Sequence, residues 1–356
     1  MSERLTPGEV LALTGAGLDD TALGALADRP VVVLDLDGPS TDLAQVTRVL
    51  AGRPCVVIGV ASTPILEPTV DGLLDVALCA SDIAPAPWVA GRGALDDMVE
   101  ALVTAIESSS EAAVALVQLL HLGERASTID AVVAESFAYS LLQSGDRHRH
   151  WLSSRADRQR RPRPDAPIVA VTRTDDRLLV VLDRPEVHNA YGTRMRDELT
   201  DAFRLVAADP TITSVELCGA GPSFSSGGDL DEFGTAPAPL DAHLVRTTRN
   251  AGIALAAIAD RVTARVHGTC VGAGVELPAF AGRVVADPHT TFRLPEVAMG
   301  LVPGAGGTAS IPRRIGRHRT AYLALTGAPI DAPLALSWGL IDAIEPVTPV
   351  EPVGGR

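Results

Sequence analysis

Short apolar runs bounded by glycine and proline alternate with segments of helical spacing along the chain. In the first half, residues 30–36 and 54–60 are β-branched runs, a pattern that predicts two buried strands. From about residue 95 to residue 155, apolar positions recur every three or four residues, which predicts helices. The first half is therefore predicted to hold strands first and helices afterwards.

The second half repeats this alternation more regularly. The same patterns predict four strands, at residues 168–172, 178–182, 214–218 and 262–266. They also predict two helices, at residues 195–206 and 244–259. Such alternation is typical of a layered α/β domain. Between the halves, residues 155–163 contain five arginines, with prolines close by. This composition indicates a solvated linker, and docking of an acidic partner or a phosphate group is the alternative.

Composition and charge exclude several classes of partner. The 356 residues carry a net charge of −14, and an acidic surface repels nucleic acids and anionic membranes. Aromatic residues are only 3% of the chain, too few for a platform that stacks bases. No apolar signal region opens the chain and no apolar stretch is long enough to span a bilayer. We therefore expect a cytoplasmic protein without nucleic-acid or membrane partners.

The four cysteines lack the close spacing of metal-binding motifs. We expect no metal site at Cys55, Cys79, Cys218 and Cys270. Cys55 and Cys79 lie inside apolar runs, which is typical of buried thiols.

Two loop-to-helix segments of the second half are suited to presenting backbone N–H groups. Residues 224–230 (FSSGGDL) contain two adjacent glycines, which allow a sharp turn without side chains in the way. Residues 267–277 (HGTCVGAGVEL) follow a predicted strand, and a small-residue loop at a helix start favours an oxyanion. A phosphate is the alternative ligand, although the Lys-Ser/Thr ending of a phosphate-binding loop is missing. Taken alone, residues 224–230 are more typical of an ordinary turn.

Two glutamates accompany these loops. Glu296 lies in residues 292–300 (FRLPEVAMG), just before the glycine-rich run 303–308 (PGAGGT). Its apolar neighbours suggest partial burial and a raised pKa, and a surface position is the alternative. Glu276 falls in the first turn of the predicted helix that follows the second loop, where it could serve only to complement the helix dipole.

Taken together and in this order, the segments resemble the enoyl-CoA hydratase/isomerase (crotonase) superfamily. That family carries an F-x-x-G-x-D-L loop, a G-x-G-x-E-L helix start and a P-E-x-x-x-G-x-x-P-G-x-G-G segment. Residues 184–190 (RPEVHNA) resemble its opening turn, and residues 325–327 and 335–341 resemble its closing segment. The resemblance extends from about residue 168 to residue 346. It implies an α/β fold of the ClpP/crotonase type, a spiral of ββα units, in the C-terminal half.

The resemblance also implies a division of the chain. We expect a degenerate crotonase-like N-terminal half that ends in helices, a linker, a core and a tail: residues 1–92 as a degenerate α/β segment, 93–156 as helices resembling the family's C-terminal cap, 157–166 as the Arg/Pro linker, 167–346 as the crotonase core and 347–356 as a disordered tail. Family members normally continue past the core with capping helices. Here the upstream helices resemble that cap, so we expect them to supply it, from the same chain or from a neighbour.

By resemblance, the backbone N–H groups of Gly228 and Ala273 form an oxyanion hole for a thioester carbonyl. Glu276 is expected to activate water, and Glu296 to exchange a proton at the α-carbon. Further substrate-binding positions are implied at His188, Ala190, Ser226, Asp229, Gly272, Pro295 and Gly304. The implied activity is that of a lyase of fatty acid metabolism, which hydrates a 2-enoyl-CoA to a 3-hydroxyacyl-CoA. Coenzyme A enters only as part of the substrate, no cofactor or metal is expected, and the assembly is a homotrimer or a dimer of trimers.

Other activities on the same scaffold remain open. Double-bond isomerisation, thioester hydrolysis and cofactor-independent oxygenation would share the oxyanion hole, and a non-catalytic acyl-CoA-binding subunit is a further alternative. Two glutamates favour hydration, because syn addition of water needs both a base and an acid. The scarcity of aromatic residues predicts an aliphatic-walled acyl pocket.

Overall fold

The computed structural model describes residues 3–17, 22–25, 28–38, 43–91, 94–155, 166–236 and 238–352. The predicted linker at residues 157–166 lies, apart from its last residue, outside the described residues, and so do the last four residues of the predicted tail.

The first 90 residues build a four-stranded parallel sheet. Its spatial order follows the chain, with β1 (Val31–Asp35), β2 (Val56–Ala61), β3 (Val76–Cys79) and β4 (Val89–Ala90). Helix α1 (Pro7–Leu13) precedes the sheet, and α2 (Leu43–Leu50) and α3 (Pro68–Leu73) connect β1 to β2 and β2 to β3. β2 and β3 are buried at every position, which explains their continuously apolar sequence. The two strands predicted in this half are confirmed.

Helices fill the rest of the N-terminal half, as predicted: α4 (Leu95–Ser108), α5 (Ser110–Gly123), α6 (Thr128–Gln143) and α7 (Asp146–Ser154). The side chain of Ser127 caps α6 by accepting a hydrogen bond from the Asp130 N–H. In the described residues no single helix is long and apolar enough to span a membrane. Only α4 and α5 together reach that length, and they are bent by 106° against each other.

The C-terminal half is built on two sheets. The larger has the order β13-β10-β8-β7-β6-β5 and is parallel except for the β5–β6 hairpin, and the smaller has the order β12-β11-β9. The strands are β5 (Val169–Thr174), β6 (Arg177–Leu182), β7 (Ser214–Gly219), β8 (Val262–Val266), β9 (Thr269–Val271), β10 (Arg283–Ala286), β11 (Thr291–Arg293), β12 (Ile330–Asp331) and β13 (Ala343–Ile344). The helices are α8 (Thr193–Ala208), α9 (Pro239–Thr248), α10 (Ala251–Ala256), α11 (Ala273–Glu276), α12 (Gly307–Thr326) and α13 (Ala332–Trp338).

One helix predicted in this half is two separate helices in the structure. The pattern at residues 244–259 predicted a single helix, whereas α9 ends at Thr248 and α10 begins at Ala251. The break occurs at Asn250, whose backbone is extended and whose side chain accepts a hydrogen bond from the Ile253 N–H. Asparagine is among the residues that most favour this capping position, so the local chemistry overrides the apolar spacing. The four strands and the first helix predicted in this half are confirmed.

The two halves share one hydrophobic core. A single cluster of buried side chains extends from Val33 of β1, through α4 and α5, to Ile341 beyond α13. α12 is central to it, because it packs against α4, α5, α6 and β3. The kinship of the first half with the crotonase fold and the exact domain limits stay predictions.

Two buried arginines of α12 reinforce this contact with hydrogen bonds. Arg317 donates to the carbonyl oxygens of Leu74 and Asp71, and Arg319 donates to those of Ala84 and Trp88. Both side chains are almost completely buried. The guanidinium groups therefore satisfy carbonyls at the ends of the N-terminal elements that packing has removed from water.

Replacement of Arg319 should weaken the joint between the halves. Arg319→Met leaves the Ala84 and Trp88 carbonyls without their charged donor, so we expect the free energy of unfolding to fall by about 3 kcal/mol. Arg283→Met is the matched control, because Arg283 is half exposed and pairs only with Glu345, and it should cost less than about 1 kcal/mol. Urea denaturation of both variants measures the difference. Equal losses would contradict a stabilising role for the Arg319 contacts.

Candidate active site

A cavity of about 420 Å³ lies where α6 of the N-terminal half meets the C-terminal core. The core contributes Gly228, Ala273, Glu276 and Glu296 to its wall, and α6 contributes Tyr139. The cavity therefore combines the four residues predicted to carry the chemistry with a side chain from the other half of the chain.

Glu276 is the last residue of α11, and its side chain is buried. Its Oε2 accepts hydrogen bonds from the N–H of Ala305, at 2.7 Å, and of Gly307, at 2.8 Å. Burial raises the pKa of Glu276 to about 7, and the two backbone hydrogen bonds oppose that shift. Glu276 is thus a carboxyl that exchanges its proton near neutral pH.

Glu296 opens a 3-10 turn, Glu296–Met299, directly after Pro295. Its Oε2 is buried without a hydrogen-bond partner among the described residues. Its Oε1 lies so close to Gly272, where φ is 50°, that a Cβ at that position would be 2.4 Å away. Burial raises the pKa of Glu296 well above its ordinary value, and the nearby Glu276 raises it further. This environment favours the protonated acid.

A third carboxyl, Glu135 of α6, joins the cluster, and sequence reasoning did not assign it to the site. Its Oε1 accepts a hydrogen bond from the Gly306 N–H, and its Oε2 accepts from the N–H and the hydroxyl of Thr308. Burial, followed by repulsion from Glu276, raises the pKa of Glu135 to about 8. The sequence does hold a signal for it: Glu135 is the only charged residue between residues 131 and 143.

The three carboxyls titrate as one unit because each affects its neighbours. Repulsion between buried carboxylates prevents all three from being ionised together at neutral pH. Of the two motif glutamates, Glu276 has the better-stabilised carboxylate, because two backbone N–H groups donate to it and Oε2 of Glu296 has no donor among the described residues. Glu135 accepts from two backbone N–H groups and a hydroxyl, yet burial and repulsion from Glu276 raise its pKa to about 8. The cavity thus holds carboxyls in different hydrogen-bonding environments, a condition for one to act as a base while another acts as an acid.

Two backbone N–H groups face the cavity without a protein acceptor. In the described residues, neither the Gly228 N–H nor the Ala273 N–H donates a hydrogen bond to another protein group, and both residues line the cavity. Their loops are fixed side by side, because the Val271 N–H donates to the Ser225 carbonyl at 3.0 Å. The Tyr191 N–H binds the Gly227 carbonyl at 2.7 Å from the other side. Two such donors at one place can bind a developing oxyanion.

The remaining predicted positions divide into two groups. Gly304 and Asp229 line the cavity, although the Asp229 carboxylate is buried against Arg184 at 2.5 Å. The others lie in backbone segments next to the cavity rather than in its described wall: His188, Ala190, Ser226, Gly272 and Pro295. Within that second group, the Ser226 N–H donates to the His188 carbonyl. Their roles in substrate binding stay predictions.

The expected aliphatic wall is wrong, because aromatic and polar residues contribute to the cavity lining. The polar ones include Arg196, Arg246, Asn250 and Gln143. Three of the chain's few aromatic residues also line the cavity, namely Tyr139, Tyr191 and Phe233. A low overall aromatic content therefore gave no information on where those side chains lie. Among the described residues, no group of three or more His, Cys, Asp or Glu side chains is arranged to hold a metal ion, and all four cysteines are buried and free.

Replacement of Glu135 should change how stability depends on pH. A carboxyl with a raised folded-state pKa stabilises the fold below its ordinary pKa of 4.5, and that contribution is lost as the pH rises through about 8. Glu135→Gln removes this titration. We expect wild type to lose stability relative to the variant between pH 5 and pH 9, by up to about 1.4 kcal/mol per pH unit. Urea denaturation across this range measures it, and parallel curves would contradict a raised pKa at Glu135.

Comparison with known proteins matches the C-terminal half to one family. Residues 176–352 match the sequence profile of enoyl-CoA hydratase/isomerase. The 2,3-dehydroadipyl-CoA hydratase of Escherichia coli (strain K12) is 33% identical over 176 residues, which are 49% of this chain and 68% of that protein. The protein echA8 of Mycobacterium leprae (strain TN) is 31% identical over 168 residues, and the chain covers 64% of its length.

Solved structures give matches over the same half. The enoyl-CoA hydratase/isomerase from Mycobacterium paratuberculosis is 30% identical, with a TM-score of 0.47 over 51% of this chain and 73% of that chain. The enoyl-CoA hydratase from Mycobacterium smegmatis is 28% identical, with a TM-score of 0.47 over 51% of this chain and 71% of that chain. The family assignment rests on the sequence profile and on the extent of identity with the Escherichia coli protein. The chain belongs to the enoyl-CoA hydratase/isomerase family.

Proposed function

We propose that this protein adds water across the α,β double bond of a 2-enoyl-CoA thioester and releases a 3-hydroxyacyl-CoA. One observation carries the proposal: a single cavity holds two glutamates in opposite hydrogen-bonding environments beside two unpaired backbone N–H groups. Hydration needs a base, an acid and an oxyanion site at the same time. Isomerisation needs no bound water and can proceed with a single carboxyl that moves a proton.

The proposed step uses each group once. The thioester carbonyl accepts hydrogen bonds from the Gly228 and Ala273 N–H groups. The ionised Glu276 removes a proton from water as the water oxygen forms a bond to the β-carbon, and the electrons of the double bond move onto the thioester as an enolate. The protonated Glu296 then delivers its proton to the α-carbon. The product gains one H and one OH, and passage of the proton from Glu276 to Glu296 restores the starting state.

α6 supports this chemistry from the N-terminal half. It brings Tyr139 into the cavity wall, where burial raises the pKa of the phenol, so Tyr139 stays neutral. It also places Glu135 on the turn that supplies the Ala305 and Gly307 N–H groups to Glu276. Glu135 is thus a positioning residue, because it acts on Glu276 through the backbone between them. The name of the Escherichia coli relative, a hydratase, is consistent with this reaction.

Loss of either glutamate should abolish hydration. We expect Glu276→Gln and Glu296→Gln each to lower kcat by about 10²- to 10⁴-fold, because each removes one proton-transfer group. The measurement is the loss of enoyl-thioester absorbance with crotonyl-CoA and a longer 2-enoyl-CoA. Glu345→Gln is the control, since Glu345 is exposed and pairs with surface arginines. A wild-type protein silent on every enoyl-CoA would contradict hydration.

The oxyanion hole can be tested at Ala273 without breaking the helix. Ala273 is the first residue of α11, a position where proline is tolerated because its N–H is not needed by the helix. Ala273→Pro removes the proposed donor, and we expect kcat to fall by about 10²- to 10³-fold. Ala273→Gly keeps the N–H and should stay close to wild type. Equal activity of the two variants would remove Ala273 from the oxyanion hole.

A further inference from the structure

The polar part of the cavity wall contains an arginine, Arg246, that forms no ion pair with a carboxylate among the described residues. Arg246 of α9 donates from Nε to the Ser136 hydroxyl at 3.1 Å and from Nη2 to the Ser136 carbonyl at 3.2 Å. Its other acceptors are the Ser140 hydroxyl and, at 3.4 Å, the Gln143 amide oxygen. All of these acceptors are neutral. Among the described residues, no carboxylate lies within 4.0 Å of this guanidinium.

The neighbouring charges compensate for Arg246 only in part. Glu135 raises its pKa from a distance, but the Glu135 carboxyl is hydrogen-bonded to Gly306 and Thr308 and not to the guanidinium. Arg196, the second arginine of the wall, pairs with the adjacent Asp197 and is close enough to lower the pKa of Arg246. Glu232 is used by the backbone N–H and the hydroxyl of Thr193. Asp241 lies in the first turn of α9 and is exposed. Burial is the largest cause of the lowered pKa of Arg246. A partly buried cation without a counter-ion is costly, and an anion brought by a ligand would remove that cost.

Arg246 lines the same cavity as Glu276 and Glu296. Its Cζ is 4.6 Å from the centroid of the Tyr139 ring. The edge of the same ring is packed on Gly304, where an added Cβ would lie 2.4 Å from it. Gly304 directly precedes Ala305, whose N–H binds Glu276. One aromatic ring thus separates Arg246 from the backbone that holds the proposed base.

This position decides which part of a substrate would meet Arg246. With the thioester carbonyl at Gly228 and Ala273 and the β-carbon near Glu276, the remaining wall faces the part of the acyl chain beyond the β-carbon. The nucleotide end of coenzyme A is separated from the thioester by the long pantetheine arm, whereas a single aromatic ring separates Arg246 from the backbone that holds Glu276. The group that reaches Arg246 is therefore the far end of the acyl chain.

We propose that the acyl group ends in a carboxylate, so that the substrate is the coenzyme A monothioester of an unsaturated dicarboxylic acid, and that Arg246 binds the free carboxylate. This inference rests on the proposed function for the orientation of the substrate. A guanidinium and a carboxylate form charge-assisted hydrogen bonds, and Nη1 of Arg246 donates only to Gln143 among the described residues, so one N–H is left for a ligand. Gln143 and Asn250 beside Arg246 add neutral donors. Arg246 is thus a specificity-determining residue, and a straight-chain acyl group would leave its charge unpaired.

The test measures binding, which does not depend on turnover. The probes are saturated thioesters in matched pairs: glutaryl-CoA with pentanoyl-CoA, adipyl-CoA with hexanoyl-CoA, and suberyl-CoA with octanoyl-CoA. Titration calorimetry on the full chain should give a lower Kd for the carboxylated member of at least one pair, by about 30-fold or more. Wild type that binds the straight-chain member equally well or better at all three lengths would overturn the proposal.

Variants at Arg246 separate recognition from structure. Arg246→Gln should raise the Kd of the preferred carboxylated probe by the same factor of about 30 or more and leave the straight-chain Kd nearly unchanged, whereas Arg246→Lys should keep part of the preference. If Arg246 only ties α9 to α6, the Kd of both members of a pair will change by one common factor, and the proposal fails. If the Arg246→Gln variant does not fold, the ratios of the wild-type Kd values remain the deciding measurement.

The two proposals fail in different ways. A carboxylate preference without turnover of any unsaturated probe would refute hydration and keep the assignment of Arg246. Turnover of straight-chain and carboxylated 2-enoyl-CoA with equal kcat/KM, together with equal Kd values, would refute the role of Arg246 and keep hydration.

Discussion

Four consecutive backbone N–H groups at the start of α12 hold the site together. A helix begins with N–H groups that have no partner inside the helix, and buried ones need an acceptor from elsewhere. Here they alternate between two carboxyls. The N–H groups of Ala305 and Gly307 bind Glu276, and those of Gly306 and Thr308 bind Glu135. One glutamate comes from the core and the other from α6, so a single helix terminus fixes the proposed base and joins the halves.

This constraint explains the glycine-rich sequence at the turn. At Gly306 φ is 105°, a conformation that other residues rarely adopt. At Gly307 an added Cβ would lie 2.7 Å from the Cγ of Glu276, so any side chain would displace the proposed base. The helix terminus also supplies a partial positive charge that favours ionised carboxyls nearby. Because Glu296 lies outside this set of donors, the same geometry separates a base from an acid among residues of identical type.

Local sequence predicted the elements and the motif residues of this site, but not the contacts between distant segments. The strands β5 to β8 and the pair Glu276 and Glu296 follow from apolar spacing and from a family pattern within residues 168–346. Glu135, Tyr139 and Arg246 do not, because their roles arise when α6 packs against α9 and α12, more than 100 residues away. The break at Asn250 was missed for the opposite reason, since a single capping side chain overrides apolar spacing. Pairing over such separations leaves no periodic signal in either segment.

The placement of α6 also links the position of the proposed base to the proposed selectivity for the acyl group. Ser136 and Ser140 hold Arg246 in place through hydrogen bonds but carry no charge. Both lie on the same face of α6 as Glu135 and Tyr139. Any shift of α6 would therefore move the proposed base, through the turn at residues 305–308, together with the wall that meets the end of the acyl chain. Residues of α6 and α12 belong to one continuous hydrophobic core, so folding of the N-terminal half fixes the geometry of the proposed acyl pocket. On the proposed function, substitutions in a segment outside the family match can thus change substrate choice without changing Glu276 or Glu296.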